Sequence, residues 1–329
     1  MTSTLCNVCG SADWKVHSTP TDYISGEKFQ VVQCSHCHLI FVHPQPDRAV
    51  ISKYYPSGHQ RAEPAAYEKM DANSRLKFID ELVVEHSGSA LDVGCGKGLF
   101  LAGLRERGWQ VAGTELSEVS SAYARSQGLP VLTTDVETAP YEPGSFDLIT
   151  LFHVLEHLPS PASTLTVLHK LLRPGGLLLI EVPNIGSWYA RTFGDDWFHY
   201  DVPRHLYHFD KQTLHRLMTD HQFVVTRTST HNTQYDAFGA VQSFLNKIIS
   251  APNVLNNFNT KQVTISEILG SRHGSLGKLR NILGLLFSEM ALVVGFPLMS
   301  LFALLTAPWL EGGTLRFVAR KEAARRQLD

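Results

Sequence analysis

Net charge is almost absent from this 329-residue chain, whose 29 Lys and Arg stand against 31 Asp and Glu for a balance of −2. No broad basic field therefore announces a nucleic-acid partner, since that kind of binding rests on clustered cations facing phosphates. The opening MTSTLCNVCG lacks the basic, apolar and small-residue succession of a secretory leader, so a cytoplasmic location is expected. Internal repeats and low-complexity tracts are missing as well, and with them solenoid and linker architectures. Cysteine is scarce at five residues, and a reducing compartment keeps those five as thiols. What remains is an ordinary apolar share of 43%, enough for two modest domains or one domain with additions.

Four of the five cysteines come in two pairs of equal spacing, Cys6 and Cys9 in CNVC, Cys34 and Cys37 in CSHC. Two such knuckles bring four thiolates round one ion, and zinc, borderline-soft and tetrahedral, suits sulfur. Four sulfurs leave no open position for water, so the expected zinc is structural. It would supply folding energy that a segment this short cannot draw from a core, on the order of 10–16 kcal/mol in zinc-finger peptides. His36 and His38 beside the second knuckle are expected at the surface. The lone Cys95 reads as a small filler. Pro44 and Pro46 then end the strand pairing.

Downstream the pattern changes. Leu76, Ile79, Leu82 and Val83 recur at helical spacing, after which strands and helices alternate: SALDVG, GLFLAGLRERG, WQVAGTEL, SEVSSAYARSQG, PVLTTD, FDLITLFHV, ASTLTVLHKLLRPGG, LLLIEVPN. This order predicts an α/β fold with a mostly parallel sheet between helices, binding ligands beyond the carboxyl ends of its strands. At the first such end stands ALDVGCGKG. Gly94, Gly96 and Gly98 let a ligand lie on bare backbone near a helix N-terminus. Their G-x-G-x-G spacing differs from the dinucleotide fingerprint, and Asp92 ahead of them suits a cationic ammonium or sulfonium better than a pyrophosphate. Glu115 closes the second strand, where a carboxylate accepts both ribose hydroxyls, and Asp135 closes the third, within reach of an adenine amino group. Leu116 and Val136 follow these two acids and complete the expected nucleotide contacts.

At these residues the chain resembles the class I S-adenosylmethionine-dependent methyltransferases, over roughly Leu76 to Thr230 plus a C-terminal strand. The resemblance implies a Rossmann-like seven-stranded sheet whose last strand enters antiparallel, and it implies S-adenosyl-L-methionine as cofactor. It also places Phe152 and His153, in FDLITLFHVLEHLPSP, facing that cofactor. The cysteine pairs followed by FVHPQP, with the later DVPRHLYHFDKQTL, resemble a bacterial branch carrying an N-terminal zinc ribbon and associated with sugar, glycan or lipid modification.

Methyl transfer to a hydroxyl asks the protein to align nucleophile and methyl and to remove a proton. His157, His205 and His208 are the candidate bases, because they fall on segments beyond the strand ends and imidazole titrates near neutrality. The expected organisation is a zinc ribbon over 1–46, a linker and leading helix over 47–86, a methyltransferase core over 87–230, a helical insertion over 231–311 and a final strand with a basic tail over 312–329. Within the insertion, Ile282 to Leu310 holds one charge, Glu289. A single membrane crossing there would part the last strand from its sheet, so a hydrophobic hairpin bent near Gly295 and Pro297 is expected. Arg272, Lys278 and Arg280 precede it and suit anionic headgroups. The hairpin meets either a membrane surface or protein, including the partner of a homodimer. The sequence thus predicts an O-methyltransferase acting on a glycan, lipid-linked or small acceptor at the cytoplasmic membrane surface. An RNA methyltransferase and a non-catalytic scaffold of the same fold are the alternatives.

Overall fold

A computed structural model describes residues 5–55, 65–83, 88–248, 253, 291, 293–307 and 309–322. Arg272, Lys278, Arg280 and the first part of the predicted hairpin, 282–290, lie outside the described residues. In chain order the elements begin with β1 (Trp14–Ser18), β2 (Val31–Cys34), β3 (Ile40–Val42), α1 (Arg48–Ile51) and α2 (Ala65–Leu82). There follow β4 (Ser89–Val93), α3 (Leu99–Glu106), β5 (Gln110–Thr114), α4 (Glu118–Ser126), β6 (Val131–Leu132), β7 (Phe146–Phe152), α5 (Pro161–Leu171) and β8 (Leu172–Pro183). The remainder is α6 (Trp188–Phe193), β9 (Tyr207–His208), α7 (Lys211–Asp220), β10 (Phe223–Ser229), α8 (Thr233–Ile248) and β11 (Thr314–Lys321).

These elements sort into two compact units. One comprises Ala65–Val182, Gln212–Ser229 and Arg316–Asp329. It is built on a seven-stranded sheet in the order β10-β11-β8-β7-β4-β5-β6. Strands β4 to β8 pair in parallel, and β11 runs antiparallel to β10, as the sequence predicts for the last strand. The side chains explain the helices. Ser117 caps α4 by accepting the Ser120 N–H, and Pro161 starts α5, where a missing N–H costs nothing. The apolar face of α2 packs Ala72, Leu76 and Ile79 against Phe100 and Leu104 of α3 and Leu148 of β7. Gly103 lets α3 come that close, because a methyl there would run into the Leu76 side chain.

Two strands differ from expectation. PVLTTD contributes only Val131–Leu132 to the sheet, and β8 starts early, in the LLRPGG that the sequence assigns to a helix end and turn. The early start is a register irregularity: Phe146 pairs with Leu172 while Leu148 pairs with Leu177, so the residues between bulge out.

The other unit comprises Met1–Pro64, Pro183–Lys211 and Thr230–Leu315. Its sheet, β1-β2-β3-β9, is antiparallel throughout. The core joins Val31, Ile40 and Val42 of that sheet to Tyr189, Trp197, Tyr200, Val202 and Ala240. Arg204 is buried and fully engaged: its guanidinium donates to Asp22, Asp201 and the Tyr54 carbonyl and stacks on the Tyr23 ring at 4.5 Å. A buried cation of this kind is tolerated only with such partners.

Candidate active site

Where β4 ends, Gly94, Gly96 and Gly98 adopt φ of 71°, 54° and 77°, left-handed values that burden residues with a Cβ. A methyl on Gly94 would strike Val154, and one on Gly98 would lie 2.5 Å from Leu129 Cδ1. At Gly96, nothing stands within 4 Å. The outer glycines are therefore needed for the protein's own packing, while the middle one faces open space.

Glu115 lies directly past β5 and is tied to this loop. Its Oε2 accepts the Gly96 N–H at 2.9 Å and its Oε1 the Ser117 N–H at 2.7 Å. Each oxygen keeps a further lone pair for a hydroxyl donor. Leu116 beside it is 58% exposed, an open apolar surface at the strand end. Asp135 follows β6, and its carbonyl accepts the Thr138 and Ala139 N–H groups, which orders the turn carrying buried Val136.

Asp92 sits beneath the loop, inside β4 and 4% exposed. Burial pushes its carboxyl up to about 7, although Thr150 donates a hydrogen bond to Oδ1 at 2.7 Å and opposes the shift. An acid so poised is half-charged near neutrality and gains from an arriving cation.

At the end of β7, Phe152 packs edge-on to Phe100 with centroids 5.0 Å apart, and the Arg75 guanidinium lies 4.3 Å over its ring. His153 comes next, with φ 56°. Its Nδ1 lies 3.4 Å from Glu156 and its Nε2 3.2 Å from Glu181. Burial would keep this imidazole neutral, but the two carboxylates outweigh it and push the pKa up to about 9. Arg316 of β11 holds Glu181 from the other side with Nε at 2.6 Å, and Arg75 pairs with Asp71 at 2.7 Å. Thr150, Glu181, Arg75 and Arg316 escape sequence reasoning. The one trace of them is a glutamate inside the otherwise apolar LLLIEVP.

Among the candidate bases, His157 ends a single helical turn, Leu155–His157, in the unit of the seven-stranded sheet. His205 and His208 belong to the other unit, with ring centroids 6.4 Å apart. The His199 carbonyl lies 2.9 Å from His205 Nδ1 and fixes that ring. Burial holds His208 down to about 3, so it is neutral and a feeble proton acceptor.

The four cysteines of the knuckles converge. Cys6 and Cys37 Sγ are 3.3 Å apart, Cys9 and Cys34 Sγ 3.5 Å, and all four sulfurs lie within 4.8 Å of one another. Tetrahedral zinc with Zn–S of about 2.3 Å sets its sulfurs about 3.8 Å apart, so the donor set fits that ion. His36 and His38 are exposed, as expected. Cys95 is buried and its thiol is pushed above the usual range by burial, which suits a packing role.

Known proteins resemble the chain over its middle part. A family model described as "Methyltransferase domain" matches residues 59–228. A ubiquinone biosynthesis O-methyltransferase of Pseudomonas paraeruginosa (strain DSM 24068 / PA7) is 30% identical over 177 residues, covering 50% of this chain and 76% of the relative. A protein of the same description from Marinobacter nauticus (strain ATCC 700491 / DSM 11845 / VT8) is 32% identical over 158 residues, 45% of this chain and 66% of its own. Among solved structures, a SAM-dependent methyltransferase from Archaeoglobus fulgidus is similar with a TM-score of 0.48 and 16% identity, over 77% of this chain and 94% of that one.

Proposed function

Since the chain belongs to the methyltransferase domain family and is an S-adenosylmethionine-dependent methyltransferase, we propose that it methylates a hydroxyl oxygen of a glycan, lipid-linked or other small acceptor at the cytoplasmic membrane surface. The observation that carries this reading is the open backbone at Gly96 between a buried acid, Asp92, and a ribose-ready acid, Glu115. S-adenosylmethionine supplies an electrophilic methyl on a sulfonium when bound. Around it the chain's own residues divide the work. Asp92 favours the cationic end of the cofactor from below Gly94, Gly96 and Gly98. Glu115 takes the ribose hydroxyls with its remaining lone pairs, Leu116 and Val136 flank the base, and Asp135 receives its amino group. Phe152 and His153 border the methyl-bearing side.

His153, protonated between Glu156 and Glu181, has no lone pair to offer an acceptor hydroxyl and is assigned to positioning. Proton removal therefore falls to His157 or His205, with His208 the weakest of the three because a conjugate acid near 3 does not hold the proton it would take. The oxygen acceptor is supported by the O-methyltransferase relatives. Cys6, Cys9, Cys34 and Cys37 hold a structural Zn2+ in this reading, which stabilises their segment and takes no part in transfer. The N-terminal ribbon, the core over 87–230 and the insertion over 231–311 are the corresponding functional segments.

Mass spectrometry of metabolites and envelope lipids from cells with and without the protein tests the acceptor, through a shift of one CH2 group. A methyl found on RNA alone would overturn the reading. Titration calorimetry with S-adenosylhomocysteine tests the site, where Glu115→Ala is expected to weaken binding at least tenfold. Unchanged affinity removes the ribose assignment.

A further inference from the structure

Residues 293–306 form one helix that continues through Gly295 and Pro297, so the bend expected there is not present, and the outward side of the helix is aliphatic. Val293, Val294, Leu298, Leu301, Leu304 and Leu305 are all more than half exposed, and Trp309 just beyond the helix is 81% exposed. The inward side is occupied by protein: Met299 packs with Val241 and Leu245 of α8, Phe302 meets the Trp188 ring at 5.3 Å, and Ala303 is buried. From Ala291 to Leu310 the sequence contains no charged residue. The Thr306 hydroxyl donates back to the Phe302 carbonyl and is spent within the helix. On α8, Phe244 and Ile248 are half exposed too, with exposed Lys247 between them.

The composition selects the occupant. Protein interfaces ring an apolar centre with polar and arginine side chains, whereas this face offers aliphatics, one terminal tryptophan and a neighbouring lysine. Monomeric proteins rarely leave so continuous an apolar patch in water. Aliphatic surface with tryptophan at its edge and a cation nearby is the chemistry of the boundary between headgroups and acyl chains. We propose that the outer face of helix 293–306, with Phe244, Ile248 and Trp309, beds into one leaflet of a lipid bilayer, the helix lying in the membrane plane. The described part of this helix, fourteen residues, rises roughly 21 Å against a hydrocarbon core of about 30 Å. No helix among the described residues is long and apolar enough to span a membrane. The inference rests on the proposed membrane-surface reaction and deepens it, because it assigns the contact to named side chains and favours an acceptor anchored in the same leaflet.

Flotation of the full chain with vesicles of equal parts phosphatidylethanolamine and phosphatidylglycerol tests it, alongside a Leu301→Glu/Leu305→Glu double variant. The wild type is expected to float and the double variant to float at least tenfold less, with S-adenosylhomocysteine affinity unchanged as proof of an intact fold. Lipids brominated near the headgroup are expected to quench tryptophan emission in the wild type and less so in Trp309→Phe. Failure of the wild type to float, or equal flotation of the variant, overturns the proposal. So does a wild-type dimer that the double variant turns into monomer without vesicle binding, which would give the face to a second copy. Flotation without cofactor binding would sink the methyltransferase site assignments and leave the membrane face standing.

Discussion

Replacing Asp92 by Asn removes a charge that the fold itself resists. Burial lifts this carboxyl from 3.8 to about 7 while Thr150 keeps its hydrogen bond to Oδ1. A rise of about three pKa units corresponds to about 4 kcal/mol of disfavoured ionisation at most. The sign follows from proton counting: between about pH 4 and about pH 7 the folded protein retains a proton that the unfolded chain has released. The Asp92 contribution to stability is therefore whole below about pH 4 and is lost as pH climbs through about 7. The Asn side chain preserves an oxygen for Thr150 and cannot ionise, so the variant escapes this loss. Urea unfolding of both proteins from about pH 4.5 to about pH 8 should show the variant gaining on the wild type by several kcal/mol across the window. Cofactor affinity should move the opposite way, because a cationic ligand repays the ionised acid. Calorimetry with S-adenosylmethionine is expected to show wild-type affinity rising through neutrality and the variant at least tenfold weaker at about pH 8. Stability curves that run parallel would refute the assignment of a suppressed charge to Asp92, and equal cofactor affinity would refute its role beneath the glycine loop.

Glu181→Gln takes from His153 one of its two carboxylates, so its pKa should fall from about 9 towards the ordinary histidine range, measured by imidazole proton shifts against pH. The same variant strands the buried Arg316 charge, and chemical denaturation should report a loss of about 3 kcal/mol or more. Cys34→Ser is expected to release one equivalent of zinc, detected by a chromogenic chelator, and to lower the melting temperature. A folded, metal-free wild type would defeat the zinc assignment.

The sequence was most legible where chemistry is local. Ser117 announced a helix start through its own side chain, the glycines after Asp92 marked a loop that nothing else can form, and the cysteine spacing alone brought four sulfurs together. The mostly parallel sheet followed from alternation, whereas the antiparallel entry of β11 was implied by the family resemblance and not by any local pattern. Long-range pairings left no such mark. Glu181 shows in the sequence only as an interruption of apolar residues, and its meaning depends on Arg316, which reaches it from β11. The early start of β8 is invisible because a Pro-Gly-Gly turn and a bulge share the same composition. His208 looked like any histidine near neutrality until its burial was known.

Strand β11 lies between β10 and β8, and Ser229 and Arg316 are direct cross-strand partners. Thr230–Leu315, 86 residues, thus leaves and rejoins the sheet at neighbouring points, as a hairpin loop does. Pro183–Lys211 makes a similar detour between β8 and α7. Each detour begins and ends beside the seven-stranded sheet, so a change of length in either one leaves the pairing register of that sheet untouched.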